Sequence, residues 1–133
     1  MTPVFADAYY YLAFLIADDA AHACAVRLSK TLAAPTLTTT WVLTEVADGL
    51  SAPKHRVGFV QLLRSLVKDP TCTILPPTKM LFDQGFELYA RRPDKEWSLT
   101  DCISFVVMEQ HGLTDALTGD HHFEQAGFKI LLK

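Results

Sequence analysis

Short apolar runs alternate along this chain with longer stretches in which apolar residues recur every three or four positions. The short runs are rich in β-branched and aromatic residues and predict strands, whereas the longer stretches predict amphipathic or buried helices. The predicted strands are residues 4–6, 36–39, 71–75, 115–118 and 128–132. The predicted helices are residues 8–17, 20–33, 41–50, 53–68, 79–90, 98–111 and 120–125.

Strands that alternate with helices are typical of a parallel sheet covered on both faces. The predicted fold class is therefore α/β, with three α/β/α layers and a central parallel sheet of four to five strands. No internal repeat, low-complexity stretch or linker interrupts the 133 residues, so we expect a single domain over residues 1–133.

Two of the helices show which faces should be buried. The expected core face of residues 41–50 consists of Leu43, Val46, Ala47 and Leu50. On a helical wheel Glu45 lies roughly 200° from Leu43, so Glu45 should point away from that core face. The expected core face of residues 53–68 consists of Val57, Val60, Leu63 and Val67.

Composition excludes several classes of protein. Half of the residues are hydrophobic and 20% are charged, as in globular domains. No apolar stretch approaches the roughly 20 residues that span a bilayer, and residues 9–17 lack the basic lead-in of a signal peptide. The cysteines Cys24, Cys72 and Cys102 have no zinc-type spacing and favour reduced thiols in the cytoplasm. A net charge of −3 still allows nucleic-acid binding if the acids are clustered in one site.

Four acidic residues stand where a predicted strand gives way to a helix, or in the first turn of a helix. They are Asp7, Glu45, Asp101 and Asp120. In an open parallel sheet these positions share the edge at which ligands bind. Four carboxylates brought together there would repel one another unless cations lay among them. The set therefore predicts a Mg²⁺ or Mn²⁺ site, which suits phosphodiester hydrolysis.

Helix capping is the alternative explanation for each acid taken singly. Asp7 and Asp120 could be N-caps, and Asp101 completes a capping-box pattern with Ser98. Glu45, in a first turn, would gain from the helix dipole. Capping explains why an acid occurs at each place, but it does not require the four to converge, so the joint pattern favours a metal site.

Other α/β acid clusters fit less well. A phosphoacceptor receiver needs an acceptor Asp after the third strand, where this chain has Pro76-Pro77. A haloacid-dehalogenase-like phosphatase needs a second Asp two residues after the first, where Tyr9 stands. No phosphate-binding glycine loop is present, which disfavours nucleotide cofactors.

Polar neighbours of Asp120 are candidates for supporting roles. The Thr118 hydroxyl could orient a phosphate or a metal-bound water, although β-propensity explains a threonine there equally well. His121 and His122 could touch metal or substrate, but solvated or capping roles are favoured for both.

Two further groups of residues could contact nucleic acid. The densest basic patch, Arg91, Arg92 and Lys95, could bind a backbone phosphate or simply confer solubility. The aromatic residues Tyr9, Tyr10, Tyr11 and Phe14 could stack on bases, although burial of the first helix is the favoured interpretation.

Taken in order, these residues resemble the PIN-domain nucleases, and most closely their VapC-type toxin branch. The resemblance covers essentially the whole chain and rests on residues 4–7 with the apolar helix that follows, 41–46, 97–105, 116–123 and 126–128. One departure is Ala8, since many members carry Ser or Thr directly after the first Asp.

The resemblance implies a Mg²⁺- or Mn²⁺-dependent endoribonuclease of the cytoplasm. Its acidic site would fall on Asp7, Glu45, Asp101 and Asp120, with Thr118 beside it. Three aspartates would hold one or two metal ions, and Glu45 would be a ligand or would position the attacking water. The resemblance also implies an RNA substrate, an antitoxin partner and a homodimer. The alternatives are a housekeeping RNA-processing nuclease and a non-catalytic PIN scaffold that binds RNA or protein.

Overall fold

The computed structural model describes residues 1–133, and its strands form one sheet in which every neighbouring pair is parallel. The strands are β1 (Val4–Ala6), β2 (Thr36–Thr39), β3 (Cys72–Leu75), β4 (Asp115–Leu117) and β5 (Lys129–Ile130). Their order across the sheet is β3-β2-β1-β4-β5. The predicted α/β class with a parallel sheet is confirmed.

Helices connect the strands. They are α1 (Ala8–Leu15), α2 (His22–Thr31), α3 (Thr40–Gly49), α4 (Pro53–Lys68), α5 (Lys79–Arg91), α6 (Leu99–Gln110) and α7 (His121–Gln125). Every predicted helix is present, but α1 and α2 are shorter than expected. The chain turns between them, where the side chain of Asp19 accepts a hydrogen bond from the amide of Ala21. The last strand is also shorter than the predicted 128–132. None of these helices has the length and apolar character needed to cross a bilayer.

The topology opens a crevice beside the central strand. The three residues of β1 are buried, and the chain runs from β1 outward to β2 and β3 before it returns to β4 on the other side. Connections that diverge from adjacent strands in this way mark the switch point at which α/β proteins bind ligands. Asp7 directly follows β1, and Thr118 directly follows β4.

A close contact between α5 and α6 fixes the helix that carries Asp101. A Cβ atom added to Gly85 would lie only 3.0 Å from the Cα and 3.1 Å from the backbone nitrogen of Ile103. Because backbone atoms form this contact, a larger residue at Gly85 would push the two helices apart. The close packing therefore sets the position of α6 and of its first turn.

An aromatic cluster joins α6 to α7. Phe105 meets Phe123 edge to face with ring centroids 4.9 Å apart, and it meets Trp97 in the same manner at 5.1 Å. The indole nitrogen of Trp97 also donates a hydrogen bond to the side chain of Gln125 at 3.0 Å. These contacts bring the N-terminal ends of α6 and α7 together, and with them Asp101 and Asp120.

The predicted core face of α4 is wrong at three of its four residues and right at Leu63. Val57, Val60 and Val67 were expected to face the core, but they are 64%, 43% and 69% exposed. The side chains of α4 that pack on the core are Phe59, Leu62, Leu63 and Leu66. Apolar residues form two adjacent stripes on α4, and periodicity alone does not tell which stripe faces inward.

Candidate active site

The carboxyl edge of the sheet brings Asp7, Glu45, Asp101 and Asp120 into one site. Asp7 follows β1, Asp101 lies in the first turn of α6, and Asp120 is the N-cap of α7. Glu45 lies in the second turn of α3, so its predicted place in a first turn is wrong, because the helix already begins at Thr40. Burial is the main reason that the pKa values of Asp7, Glu45 and Asp101 are raised, and the charge of at least one other acid of the set raises each further. The four carboxylates are therefore electrostatically coupled.

Asp7 is the most deeply buried of these acids, with 4% of its surface exposed. Burial raises the pKa of Asp7 to about 7, a hydrogen bond from Thr118 lowers it in part, and the charges of Asp101 and Glu45 raise it. Although Asp7 occupies the N-cap position of α1, its side chain accepts no capping hydrogen bond. Capping therefore does not explain this aspartate.

Thr118 links two of the acids. Its hydroxyl donates a hydrogen bond to Oδ2 of Asp7 at 2.8 Å and accepts one from the backbone amide of Asp120 at 3.1 Å. A hydroxyl has a single proton, and here that proton is committed to Asp7. The structure thus gives Thr118 a role that the sequence did not indicate: it orients Asp7 and the turn that leads to Asp120.

Asp101 is both a cap and a member of the site. The Ser98 hydroxyl accepts a hydrogen bond from the Asp101 amide at 3.0 Å, and Oδ2 of Asp101 accepts one from the Ser98 amide at 3.2 Å. The capping box suggested by the sequence is therefore present. It uses only Oδ2, so Oδ1 of Asp101 stays available for another ligand.

Asp120 and His122 complete the same side of the site. Oδ1 of Asp120 caps α7 by accepting a hydrogen bond from the His122 amide at 2.9 Å. Nδ1 of His122 lies 3.3 Å from Oδ2 of Asp101 and 3.3 Å from Oδ1 of Asp120. The His122 side chain is only 19% exposed, so the expected solvated role is wrong for it, whereas His121 is 69% exposed. No sequence periodicity pointed to His122, since its place depends on how α7 packs beside α6.

Glu45 lies on the outer side of α3, as the helical wheel predicted. Leu43 and Val46 are buried while Glu45 is exposed. Partial desolvation in the site raises the pKa of Glu45, and the charges of Asp101 and Asp120 add to the effect. The N-cap of α3 is Thr39, whose hydroxyl accepts a hydrogen bond from the Val42 amide at 3.1 Å. The helix therefore does not need Glu45 as a cap.

The charge of the four acids has no lysine or arginine counterpart. The only basic nitrogens within 4.0 Å of these carboxylates belong to His121 and His122. Carboxylate oxygens that converge without a compensating cation are the donor set that Mg²⁺ and Mn²⁺ prefer. The residues present therefore fit a hard divalent cation.

The basic patch expected to meet phosphate is largely compensated within its own loop. The Arg92 guanidinium makes two hydrogen bonds to Asp94, at 3.0 and 3.1 Å. The charged groups of Arg92 and Lys95 lie 5.1 and 5.9 Å from the ring centroid of Trp97. These contacts favour a structural role for the patch, which orders the loop before α6.

A large groove on the surface lies away from the acids. It measures about 630 Å³ between α3, α4 and β3, and its lining is mainly apolar, including Leu43, Phe59, Leu63 and Ile74. None of the four acids lines this groove. Chemistry and not volume therefore identifies the candidate active site, and the groove has the character of a protein-binding surface.

Comparison with known proteins gives a consistent family. The PIN domain family matches residues 4–129 of this chain. Two relatives from Mycobacterium tuberculosis, strains CDC 1551 / Oshkosh and ATCC 25618 / H37Rv, are both called 23S rRNA-specific endonuclease VapC20. Each is 29% identical over 126 residues, which are 94% of this chain and 95% of the relative.

Solved structures agree with this match. The crystal structure of Mycobacterium tuberculosis VapC20, described as a Sarcin-Ricin loop cleaving toxin, is similar with a TM-score of 0.85. The two sequences are 28% identical, over 94% of this chain and 95% of that one. FitAcB from Neisseria gonorrhoeae has a TM-score of 0.63 at 18% identity, with 96% of both chains covered. At that identity the second likeness concerns the fold alone.

Replacing Asp7 with Asn should stabilise the metal-free protein at high pH. Between the ordinary pKa of 3.8 and the folded value of about 7, the folded carboxyl keeps its proton while the unfolded chain has lost it. The folded state then binds more protons, so the free energy of unfolding falls as the pH rises through this window. For one group the full effect is roughly 4 kcal/mol, and it is reached above pH 7.

The measurement is thermal unfolding in EDTA between pH 5 and 8. The parent should lose stability across this range more steeply than Asp7→Asn, and the variant should be the more stable protein at pH 8. Asp18→Asn, at an exposed acid outside the site, is the matched control and should follow the parent. Parallel curves for parent and Asp7→Asn would show that burial of this carboxylate is not costly.

Proposed function

The chain belongs to the PIN-domain family, and we propose that it is an endoribonuclease that hydrolyses RNA phosphodiester bonds with Mg²⁺ or Mn²⁺. The observation that carries this proposal is the set of four coupled carboxylates with no lysine or arginine beside them. A divalent cation would relieve the repulsion among them. The relatives called 23S rRNA-specific endonuclease support RNA as the substrate.

Each acid has a role in this proposal. Asp7, Asp101 and Asp120 would hold one or two metal ions, and Glu45 would be a further ligand or would orient the attacking water. A bound divalent ion would supply charge neutralisation at the phosphate and make the attacking water more acidic. Thr118 keeps Asp7 in position. Because the pKa of Asp7 is about 7 without metal, binding of a cation would release a proton near neutral pH.

Replacing Asp7 or Asp101 with Asn should lower the rate of RNA cleavage by at least about 100-fold, because each change removes a charged metal ligand. The substrate to try first is an RNA hairpin with the sequence of the sarcin–ricin loop, the target stated for the VapC20 structure. Cleavage is followed on a denaturing gel with Mn²⁺, with Mg²⁺ and with EDTA.

The matched control for this test is Asp115→Asn. Asp115 begins β4, at the opposite end of the strand from Thr118, and should not affect cleavage. Unfolding temperatures separate loss of activity from loss of fold. Equal cleavage by the parent, Asp7→Asn and Asp101→Asn would refute the site. Calorimetry that detects no Mn²⁺ binding at millimolar concentrations would instead favour a non-catalytic scaffold.

We further propose that the enzyme acts in the cytoplasm as the toxin of a toxin–antitoxin pair, with its antitoxin bound at α4. This helix has 16 residues, and none of them is buried. Its outer stripe exposes Val57, Val60 and Val67 beside the apolar groove of about 630 Å³. The helix carries Lys54, Arg56, Arg64 and Lys68 and no acidic residue. An acidic amphipathic segment of a partner protein would complement both features.

Expression of the protein should arrest growth, and co-expression of the antitoxin from an adjacent small gene should relieve the arrest. The double change Val57→Glu and Val67→Glu should abolish the relief but not the arrest, because both side chains are already exposed and lie outside the acidic site. Growth curves and co-purification with the small protein measure the two effects.

Ala23→Glu, which adds an acidic side chain at an exposed position of α2 and outside α4, is the control and should leave the relief intact. If the parent accumulates at good yield without any arrest, the toxin proposal fails and a housekeeping RNA-processing nuclease becomes the better explanation. If the double variant is still neutralised, the antitoxin binds elsewhere.

We also propose a homodimer formed through α5. Phe82, Phe86 and Tyr89 follow one another at helical spacing and are 43%, 49% and 50% exposed, while the neighbouring buried side of α5 packs on α6 through Gly85. An apolar stripe on one helix can pair with its own copy across a two-fold axis.

Replacing Phe86 with Glu should convert this dimer to a monomer, because it places two carboxylates near the axis. Sedimentation velocity at tens of micromolar concentration gives the mass. Glu87→Gln, at the next and exposed position, should leave the dimer intact. If the parent protein sediments as a monomer, the dimer proposal is refuted.

A further inference from the structure

Tyr9 is exposed at the rim of the acidic site although its neighbours are buried. Its side chain is 40% exposed, whereas Ala8 and Tyr11 are 1% and 3% exposed. Tyr10 packs against Tyr11 and Phe14 at centroid distances of 5.3 and 6.4 Å, so these three aromatics belong to the packing of α1. Tyr9 has no aromatic partner within the protein, and its position requires a separate explanation.

The ring of Tyr9 lies directly against the backbone of Gly119. A Cβ atom at Gly119 would lie 2.6 Å from Cζ, 2.7 Å from Cε1 and 2.8 Å from the hydroxyl oxygen of Tyr9. The glycines with positive φ are Gly112 and Gly127, so the backbone angle of Gly119 does not call for glycine. The close contact instead favours glycine here, because a Cβ atom would overlap the phenol ring in its present position.

The turn under the ring belongs to the acidic site. Gly119 separates Thr118, which donates a hydrogen bond to Asp7, from Asp120, which caps α7. Tyr9 itself stands two residues after Asp7, in the first turn of α1. The ring is close to the carboxylates for two reasons: it contacts Gly119, which precedes Asp120, and it follows Asp7 by two residues. Part of its surface is open to solvent.

We propose that Tyr9 is a positioning residue that stacks on a nucleobase next to the cleaved phosphodiester bond. The proposal rests on the proposed ribonuclease function. Unstacked bases of single-stranded RNA are bound chiefly by aromatic side chains, and stacking tolerates any base because every base has a flat face. Contact with Gly119 places the ring over this turn in the absence of RNA, which reduces the rearrangement required when a base binds.

The experiment compares Tyr9→Leu with the parent on the sarcin–ricin-loop hairpin, after the cleaved bond has been mapped. Leucine keeps an apolar contact with Gly119 but offers no flat ring. Tyr9→Leu should raise KM by about 10-fold with a smaller change in kcat, as expected for the loss of one stacked base. Tyr9→Phe should restore KM, because stacking needs the ring and not the hydroxyl.

A second arm tests whether Tyr9 and a base act together. The hairpin is made with an abasic nucleotide on either side of the cleaved bond. On one of these RNAs the KM of the parent should rise by the same factor that Tyr9→Leu causes on the intact hairpin. On that RNA, Tyr9→Leu should cause no further rise in KM. Gly119→Ala, which displaces the ring, should raise KM in the parent but not in Tyr9→Leu. Tyr10→Leu, at the packed neighbour, should leave KM unchanged, and unfolding temperatures report any loss of fold.

The outcomes separate this inference from the proposed function. If the parent cleaves no RNA with Mn²⁺, the ribonuclease proposal fails and this inference fails with it. If the parent cleaves and Tyr9→Leu has the parental KM on every RNA, only the stacking role is overturned. A loss of kcat that Tyr9→Phe shares would assign the role to the hydroxyl and would also overturn stacking.

Discussion

Mutual repulsion among four carboxylates is the constraint on which the rest of the site depends. Burial beside the central strand raises the pKa of Asp7 to about 7, and the charges of Asp101 and Glu45 add to this effect. No lysine or arginine lies close enough to compensate this negative charge. Neutral groups hold the acids in place instead: the Thr118 hydroxyl donates a hydrogen bond to Asp7, and the Ser98 hydroxyl accepts one from the Asp101 amide. These contacts orient the acids without neutralising them. A divalent cation would favour the ionised form of all four carboxylates, including Asp7.

Capping and metal binding are compatible at two of the four acids, although they first look like rival explanations. Asp101 and Asp120 each cap a helix, and each does so with a single carboxylate oxygen. The second oxygen of each carboxylate makes no hydrogen bond within the protein. Because an ionised carboxylate can accept from several partners, this oxygen can bind a further ligand. Capping also fixes the side-chain torsions, so the same hydrogen bond that stabilises the helix orients the ligand. Asp7 and Glu45 make no such cap: Asp7 is placed by the end of β1, and Glu45 by its position on the outer side of α3.

The unburied apolar residues of α4 and α5 are a second organising feature. Both helices pack on the protein through one stripe and present another to solvent: Val57, Val60 and Val67 on α4, and Phe82, Phe86 and Tyr89 on α5. Exposed apolar stripes of this kind mark surfaces for partners. Neither α4 nor α5 contains one of the four acids. The surfaces for partners and the acidic site are therefore built on different parts of the chain and can change independently.

The amino-acid sequence by itself determined the order of the elements, the parallel α/β class and the placement of Asp7, Asp101 and Asp120 at helix starts. These features follow from local periodicity and from the rule that strand ends and helix starts share one edge of a parallel sheet. Only the tertiary structure decided which stripe of α4 faces the core, that His122 lies between Asp101 and Asp120, and that Tyr9 rests on Gly119. The hydrogen bond from Thr118 to Asp7 joins residues 111 positions apart. Such contacts depend on how whole elements are rotated and packed against one another, and periodicity within one element carries no information about that.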